Sequence, residues 1–565
     1  MALQASRPAG AQIDLADRYV VLEPRALRGV LASLALVMLA ASLDSTAVGT
    51  ALPRIVTDLH GNDLYAWVFT IYLLTMTVTM PVWGSLSDRF GRRAILLIGV
   101  AIFLAGSVLC GLSQEMWQLI VFRGIQGLGA GAIAPISLAT IGDLYPPADR
   151  ARLQAAFSSL FVLAFLIGPT LGGVLTDTVG WRWVFYINLP VCLVALAVMA
   201  RYMPALHDGV ERHSFDLLGV VLFTAAVVPF LIGVRNLPDG TITDPAVGGL
   251  MLVGLLIGTL FLVAETRAPE PIVPVRLFRD PTFAVASVVV LLAVAGLFVS
   301  IVFMPRYFQF VLGASATSSG WQIMTLLLGL IVGAVGCGQV VAHTGRWKAL
   351  LLGAMAVGAA GMLLLSGLEA DSPMPLVWTA MFLTGFGLGP ISSVLTAVVQ
   401  TTVPAAVMGV ATSTLTFFRQ LGASIWLAIS GSIFSTAFQD QLPARLAANG
   451  VPDSLASGLT SGSGAAASEA STNVGDLGAL ILASLPPEAR AVVEPFIGGI
   501  VEAMHEAFSL ATGTAFWVGI AAVAVAFLVL LPLRETRLPL ERLTEIRGRA
   551  AATPASPPHG AAAGP

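Results

Sequence analysis

The stretch G-S-L-S-D-R-F-G-R-R, residues 84–93, lies between two long apolar runs and decides how the chain folds. It holds one acid, three arginines and two glycines, whereas the flanking runs 65–85 and 94–113 contain no charged residue. Runs of about 20 apolar residues are long enough to cross a bilayer as helices. The stretch therefore predicts the tight, charged turn of a membrane hairpin, with its arginines on the cytoplasmic side.

The composition extends this prediction to the whole chain. Of the 565 residues, 56% are hydrophobic and 11% are charged, whereas soluble proteins carry about 25% charged residues. The net charge of -3 attracts no nucleic acid, and the three cysteines form neither a disulfide framework nor a metal-binding pattern. These numbers exclude a cytosolic enzyme, a nucleic-acid-binding protein and a disulfide scaffold. No secretory signal is visible at the N-terminus, and we expect no metal site.

Apolar runs of spanning length recur along the chain and predict an all-α polytopic membrane protein with fourteen transmembrane helices. The runs are continuous, unlike the alternating strands of about ten residues in a membrane barrel. The predicted spans are 28–53, 65–85, 94–113, 117–138, 153–175, 183–203, 216–234, 247–265, 282–304, 319–341, 349–368, 376–399, 410–436 and 510–532.

The basic residues indicate the orientation of these spans. With the N-terminus inside, 21 of the 29 Lys and Arg fall on inside segments, which is the bias expected of a multi-pass protein of the cytoplasmic membrane. The tails 1–27 and 533–565 are then both cytoplasmic. The long segment 437–509 becomes an extracytoplasmic loop, with a flexible part rich in Gly, Ser and Ala and a part with helical apolar spacing.

The chain also contains a faint repeat. Residues Gly84 to Gly99 match Gly338 to Gly353 at three glycines, one arginine and two leucines, and Pro-Ile-Ser recurs at 135–137 and 390–392. Chance is the alternative for matches this short. Because both copies fall at equivalent spans, we predict two pseudo-symmetric six-helix halves, 28–203 and 282–532, with two inserted helices in 204–281. Such halves are typical of transporters whose substrate site lies between them.

Several motifs give the chain a family resemblance. They are L-D-S-T-A-V-G-T-A-L-P at 43–53, R-G-I-Q-G-L-G-A-G at 123–131, G-P-T-L-G-G at 168–173, W-R-W-V-F-Y-I-N-L-P at 181–190 and F-F-R-Q-L-G at 417–422. Together with the turn 84–93, they resemble the major facilitator superfamily, and the fourteen spans resemble its drug:proton antiporter branch. The resemblance covers nearly the whole chain and implies proton-driven export of drug-like molecules.

Within the turn 84–93, which we call the gate loop, a clamp is the functional interpretation. An acid can pair with an arginine or face a helix N-terminus, and glycines allow helices to approach closely. A tight loop with positive-inside arginines explains the charges but not the acid or the paired glycines. The candidate gate residues are Gly84, Asp88, Arg89, Gly91, Arg92 and Arg93.

Three charged residues lie well inside spans, namely Asp44, Arg123 and Arg419, and Arg419 could snorkel inward. Asp44 carries a charge that costs about 2.5–3.5 kcal/mol or more at that depth, so it faces a cavity or binds a proton. Alternatively, it is a structural residue satisfied by Ser45 or Thr46. Arg123 either tunes a nearby carboxylate and its hydrogen bonds or snorkels to the interface. The resemblance favours proton coupling by Asp44 and Arg123.

The antiporter motif of span 5 has a mainly mechanical interpretation. Pro169 removes a helix hydrogen bond, while Gly168, Gly172 and Gly173 allow another helix to pack closely. The resemblance implies that this motif lies at the interface between the halves.

The substrate cavity is the weakest prediction from sequence. Aromatic, Met, Arg and amide side chains suit an adaptable amphipathic cavity, although each singly is more often lipid-facing or in the core. Some members of the resembled family that export multivalent cations have acids in late spans, so the resemblance, together with the absence of acids from spans 10 and 13, disfavours dicationic substrates. The candidates are Trp67, Phe69, Tyr72, Gln126, Phe157, Phe161, Gln322, Met324, Arg419, Gln420 and Trp426.

The sequence thus predicts a proton-coupled exporter of lipophilic drug-like molecules, with the proton as coupling ion and no other cofactor. Its expected partners are the lipid bilayer and small molecules, and we expect it to function as a monomer. A dedicated exporter of a metabolite, siderophore or lipid is the alternative. A membrane transferase is remote, because the histidines His207 and His213 of one inside loop have no metal spacing, and ATP-driven transport is disfavoured because no nucleotide loop is present.

Overall fold

The structure is a computed structural model and is helical throughout the part of the chain that it describes. Single residues are described at 478 and 490. The described ranges are 22–59, 64–204, 216–269, 271–314, 316–452, 455–456, 481–482, 492–535 and 537–538.

Seven helices form the N-terminal half. The sixth predicted span is made of two helices, and Pro190 lies in the first turn of the second one. Because proline has no backbone N–H, it cannot donate a helical hydrogen bond to a carbonyl of the preceding helix. The helices are α1 (Pro24–Leu59), α2 (Tyr65–Phe90), α3 (Arg92–Leu112), α4 (Met116–Leu144), α5 (Pro147–Thr178), α6 (Arg182–Tyr186) and α7 (Asn188–Tyr202).

Two helices connect this half to the C-terminal half, which has six. The connecting pair is α8 (Leu217–Arg235) and α9 (Leu250–Arg267). The C-terminal half consists of α10 (Pro281–Phe310), α11 (Ala316–Thr344), α12 (Lys348–Ser366), α13 (Met374–Thr402), α14 (Met408–Ala448) and α15 (Ile497–Leu530).

The predicted spans correspond to these helices. Thirteen helices of the described residues are long and apolar enough to cross a membrane, and the remaining predicted span, 153–175, lies within α5. The two predicted halves and the inserted pair are confirmed. One local expectation is wrong: Pro53 does not end the first helix, because α1 continues to Leu59.

The last two helices reach well beyond the spans 410–436 and 510–532. α14 continues to Ala448 and α15 already begins at Ile497. Arg445 and Glu506 form an ion pair at 3.3 Å where the two extensions lie side by side. The helical apolar spacing that we assigned to the loop 437–509 thus belongs in part to α15, while 457–477 lies outside the described residues.

Each half has its own apolar core, and the inserted pair packs on the seam between them. Phe223 of α8 and Phe261 of α9 share a cluster with Val78 of α2 and Phe417 of α14. These contacts place the pair against helices from both halves. We call the end of the bundle where α2 meets α3 the gate end.

Candidate functional site

A buried ion pair lies in the middle of the N-terminal half. Asp44 of α1 is 2% exposed and Arg123 of α4 is fully buried. Arg123 Nη1 lies 2.5 Å from Asp44 Oδ2. Arg123 therefore does not snorkel to the interface. Ser45 and Thr46 bond to backbone carbonyls instead of Asp44, so Asp44 is satisfied by partners on other helices.

Two amides complete the coordination of Asp44. Gln126 Nε2 and Asn188 Nδ2 donate to Asp44 Oδ1 at 2.8 and 2.9 Å. Ser107 of α3 accepts from both amides at 3.2 and 3.0 Å and donates to a carbonyl of α6. Arg123 and Gln126 share one face of α4 because they are three residues apart. The result is a closed polar network, contributed by α1, α3, α4 and α7.

Sequence reasoning missed two members of this network. Asn188 lies within a motif that we noted, but we assigned it no role, and Ser107 attracted no attention. A lone amide inside an apolar span was the available signal, because burying an unpaired amide is costly. The interruption of the sixth span places Asn188 at the first residue of α7, facing Asp44.

Arg123 makes further contacts that keep it inside the bundle. Its guanidinium lies 4.0 Å from the centroid of the Tyr72 ring, a cation–π contact. Its Nε donates to the carbonyl of Val68 at 3.4 Å. Its Nη2 is buried and has no hydrogen-bond partner among the described residues. A donor left open beside Asp44 can take a water molecule or a substrate oxygen when the site is hydrated.

Glycines allow the helices around this network to approach closely. A Cβ at Gly106 of α3 would lie 2.5 Å from the backbone of Gln126. In α4, a Cβ at Gly127 would lie 2.5 Å from the Tyr72 carbonyl and one at Gly129 would lie 2.2 Å from the Phe103 nitrogen. The glycine-rich motif 123–131 thus wedges α4 between α2 and α3, which brings Arg123 to Asp44.

A narrow apolar crevice reaches the network from the side. It lies between α1, α5, α6 and α7. Asp44 and Asn188 are the polar residues among the described side chains that line it. A crevice of this kind offers a route by which a proton or a water molecule can reach Asp44.

The antiporter motif borders this crevice and packs on α1. A Cβ at Gly168 would lie 1.9 Å from Thr46 Oγ1, and a Cβ at Gly172 would lie 2.4 Å from the Ala47 carbonyl. Gly173 has no such neighbour within 4 Å, and Pro169 is exposed. The two packed glycines therefore contact a helix of the same half, while the helix α5 that carries them also contacts α11 and α13 of the C-terminal half.

The gate loop connects the two halves through Asp88. Asp88 is at the end of α2, and its two carboxylate oxygens accept from Gly409 N and Val410 N at 2.8 and 2.7 Å. Those N–H groups belong to the first turn of α14, where the helix dipole also favours a negative charge. Hydrogen bonds to charged groups contribute about 1.5–3 kcal/mol each, so this contact stabilises the closed gate end.

Arg92 holds Asp88 in position. It forms an ion pair with Asp88 and donates to Ser87 Oγ at 2.7 Å and to Asp143 Oδ2 at 2.9 Å. The charge of Asp88 is thus compensated from both sides, by the helix N-terminus and by Arg92. We did not foresee Asp143, because α4 extends past the predicted span to Leu144.

The remaining gate residues shape the turn. Gly91 has a φ of 88°, a region that side chains rarely adopt, and it joins α2 directly to α3. Gly84 touches the other half, because a Cβ there would lie 2.0 Å from Ser413 Oγ. Arg93 donates to the carbonyl of Ala200 at the end of α7. Arg89 is partly exposed and lies near Glu265 of the inserted pair.

A second clamp at the gate end was not visible in the sequence. Gln400 of α13 accepts from Gln154 Nε2 at 2.7 Å and donates to the Leu138 carbonyl at 3.0 Å. Arg150 donates to the Gln400 carbonyl at 2.9 Å. With the two bonds of Asp88, these make five named hydrogen bonds between described residues of the two halves at this end. Gln400 and Gln154 gave no signal, because an amide near a span end is normally solvated.

The predicted cavity residues separate into different places. Tyr72 and Gln126 belong to the Asp44 network. Arg419 and Gln420 line a cavity between α10, α11, α13 and α14. Trp426 donates through Nε1 to the Leu291 carbonyl at 2.9 Å, next to that cavity's helix α10.

The other candidates lie elsewhere in the bundle. The ring of Trp67 lies under Arg235 of the inserted pair, with 5.5 Å between guanidinium and centroid. Phe69 and Phe157 pack at two separate apolar clusters of the N-terminal half. Gln322 contacts Ser318 at 3.5 Å and Met324 packs with Leu327. The side chain of Phe161 lies outside the described part of the structure.

Two similar helical halves, a buried ion pair in one of them and a hydrogen-bonded seam at one end define a polytopic membrane transporter, not an enzyme. The chain belongs to the Major Facilitator Superfamily, whose profile matches residues 34–427. The structure of the proton:xylose symporter XylE has the same fold, with a TM-score of 0.52 at 16% identity, covering 93% of this chain and 99% of that one.

Relatives by sequence include named export proteins. The multidrug transporter protein MdtP of Bacillus subtilis is 34% identical over 418 residues, which cover 74% of this chain and 77% of that protein. The tetracenomycin C resistance and export protein of Streptomyces glaucescens is 32% identical over 506 residues, covering 89% and 91%. The resemblance that the motifs indicated is confirmed.

Proposed function

We propose that this transporter is a proton-coupled antiporter that exports lipophilic small molecules by alternating access. The observation that carries the proposal is the Asp44–Arg123 ion pair, which is buried in the N-terminal half and whose carboxylate also accepts hydrogen bonds from two amides. A buried carboxylate in a membrane span is a functional candidate by default, because it is costly to keep without a purpose. The names of the relatives support export as the direction.

In the proposed cycle, a proton and the substrate act on Asp44 in opposite directions. Protonation removes the charge that Arg123 compensates, so the ion pair loosens and the packing of α1 against α4 changes. Proton binding thereby favours one state and proton release the other, and a shift of this kind requires only a difference in proton affinity between the states. Each proton that enters contributes about 2.3 kcal/mol per 100 mV of membrane potential.

The gate loop serves as the latch of this cycle. The five hydrogen bonds at the gate end represent the state in which that end is closed. We assign the gate end to the cytoplasm, because the basic residues concentrate there, and we therefore place both termini in the cytoplasm and the protein in the cytoplasmic membrane. The closed gate then leaves the other end as the exit. All proposed machinery lies in one chain, so the proposed working unit is a monomer in the lipid bilayer.

A dedicated exporter of an endogenous compound is the second candidate. It is favoured by the tetracenomycin C resistance and export protein, which matches this chain over 91% of its own length. That name describes export of one particular compound, tetracenomycin C. The mechanism of Asp44 and the latch is the same for both candidates, and they differ only in the range of substrates.

The test is the substitution Asp44→Asn in purified protein reconstituted into proteoliposomes. Export of a fluorescent lipophilic substrate against its gradient, driven by a pH difference, is measured together with internal pH. We expect wild-type protein to move protons and substrate in opposite directions and Asp44→Asn to lose both fluxes, because the amide cannot bind a proton. Substrate movement against its gradient without any proton flux in wild type would disprove antiport.

The matched control is Asp177→Asn, the same substitution at an exposed position near the end of α5. It should retain both fluxes. Exchange of labelled for unlabelled substrate at equal pH separates binding from coupling: Asp44→Asn should still exchange substrate. If Asp44→Asn keeps full proton-coupled export, the assignment of Asp44 is wrong.

A further inference from the structure

A second buried carboxylate lies at the gate end, in the inserted pair. Glu265 is in the last turn of α9 and is 2% exposed. Its Oε1 accepts hydrogen bonds from Ile272 N and Val273 N at 3.1 and 3.4 Å. Its Oε2 is buried and has no hydrogen-bond partner among the described residues. An ionised carboxylate is therefore only half satisfied at this position, and the proposed transport cycle gives it no role.

The two N–H groups belong to a short segment that lies over the seam between the halves. We call this segment, residues 271–280 between α9 and α10, the strap. Ile272 of the strap shares an apolar cluster with Val78 of α2 and Phe417 of α14. The strap thus packs among helices from both halves, and Glu265 holds its first residues in place.

Two charged groups of the described residues act on Glu265. Asp216, directly before α8, repels the ionised form, and Arg89 of the gate loop attracts it. Asp216 caps α8 by accepting from Gly219 N at 2.8 Å, so its position beside Glu265 is fixed. Arg89 is partly exposed, so water weakens its attraction. A neutral carboxyl therefore fits this site better than a carboxylate, because burying an ionised oxygen without a partner is costly.

We propose that Glu265 is a second proton-binding site, separate from Asp44, and that its proton controls whether the strap stays closed over the seam. With the proton on Oε2 the carboxyl is neutral, remains buried and still accepts from the strap through Oε1. When the proton leaves to water on the gate side, the charged oxygen requires hydration. Water reaches Oε2 only if the strap moves away, so the bound proton favours the closed strap.

The strap connects this site to transport. In the proposed cycle the gate end opens by separating α2 from α14, and the strap packs against the apolar cluster that both helices share. A closed strap therefore opposes opening, and loss of the proton from Glu265 assists it. Because an antiporter brings protons into the cell, an acidic cytoplasm would then slow further proton entry. This consequence rests on the proposed function, whereas proton binding by Glu265 does not.

The direct test is infrared spectroscopy of the purified full-length protein while the pH is varied across neutrality. A protonated carboxyl has its own C=O stretching band, which disappears when the group ionises. Exposed carboxylates do not contribute near neutral pH, because their ordinary pKa values are about 4. The variant Asp44→Asn should show a band that titrates, and the double variant with Glu265→Gln should lack it. The same titration in both would overturn the proposal, and so would the lack of any titrating band in Asp44→Asn, even if Glu265→Gln does not fold.

Hydrogen exchange tests the control of the strap. Exchange of the Ile272 and Val273 amides in wild type is compared with Glu265→Gln at each pH by mass spectrometry, so that the chemical effect of pH on exchange cancels. The glutamine keeps an acceptor oxygen but cannot ionise. At acidic pH the two proteins should exchange alike. About two pH units higher, wild type should exchange at least about tenfold faster, since one proton changes an equilibrium by up to about tenfold per pH unit. A ratio that does not depend on pH would make Glu265 a mere brace and overturn the proposal.

Glu23→Gln is the matched control, because Glu23 is an exposed glutamate directly before α1 at the same end of the bundle. It should keep the wild-type titration and the wild-type exchange. In proteoliposomes at acidic pH on both sides, exchange of labelled for unlabelled substrate should slow several-fold more in wild type than in Glu265→Gln, and equal slowing would overturn the role of the strap in transport. The infrared and hydrogen-exchange measurements need no proton gradient, so a protein that passes both but shows no antiport would contradict only the proposed function.

Discussion

The gate loop 84–93 and its copy at 338–347 have similar backbone conformations, but their side chains make different contacts. Gly91 and the corresponding Gly345 both have positive φ, 88° and 65°, and each allows one helix to turn directly towards the next. The glycines of the repeat thus encode the same sharp connection twice. The side chains of the two turns, however, make different contacts.

In the N-terminal copy the acid reaches across to the other half, whereas the C-terminal copy is held within its own half. Asp88 accepts from the first turn of α14, but Ala342 stands at the equivalent position of the copy. There, Glu535 after α15 accepts from the backbone of Trp347 and Lys348 at 2.8 and 3.0 Å. One copy is a latch between halves and the other a brace inside one half, which shows that a duplicated turn can keep its geometry and lose its coupling.

Asp88→Asn is the substitution from which we expect the largest effect on the contact between the halves. It removes a charge that accepts two backbone hydrogen bonds and leaves Arg92 with Asp143 as its remaining ion-pair partner, so we expect the closed gate to lose about 2 kcal/mol or more. Transport should fall at least about tenfold. Hydrogen exchange at the first turn of α14, around Gly409, should become faster, as measured by mass spectrometry.

The matched variant is Ala342→Asp, which places an acid in the copy. Its new carboxylate belongs to a turn that is braced within its own half, so we expect transport to stay within about twofold of wild type. Protection of Gly409 and Val410 that is unchanged in Asp88→Asn would contradict the latch.

A second pair of variants tests packing at equivalent glycines of the repeat. A Cβ at Gly99 of α3 would lie 2.4 Å from Ala132 Cβ, whereas a Cβ at the corresponding Gly353 of α12 has nothing within 4 Å. Overpacking costs about 1–3 kcal/mol. Gly99→Ala should therefore lower the thermal midpoint in detergent by several degrees, and Gly353→Ala should leave it unchanged. Equal shifts would mean that the two helices are packed alike.

The smallest effect concerns the brace. Glu535→Gln keeps one acceptor oxygen but removes the charge at the N-terminus of α12, which should cost about 1 kcal/mol. We expect a slightly lower thermal midpoint with normal transport and normal exchange at Gly409. A loss of transport comparable to that of Asp88→Asn would show that the C-terminal copy is also part of the latch.

The sequence by itself determined the fold class, the helical spans, the repeat and the pair of deep charges. These features are local: a bilayer requires about 20 apolar residues in a row, and a charge inside such a run is conspicuous wherever its partner lies. The gate loop was visible for the same reason, since its charges interrupt apolar sequence. Asp44 and Arg123 could be named as candidates before any contact between them was known.

The tertiary structure decided which groups meet. It brought Asn188 and Ser107 to Asp44, turned Gly168 and Gly172 towards α1, and placed the N-terminus of α14 against Asp88. Which side of a helix contacts another depends on packing among residues far apart in the chain, and nearly uniform apolar spans carry little periodicity to reveal it. The bilayer thus makes a membrane-spanning helix recognisable in the sequence, but only the packed bundle determines which helices it contacts.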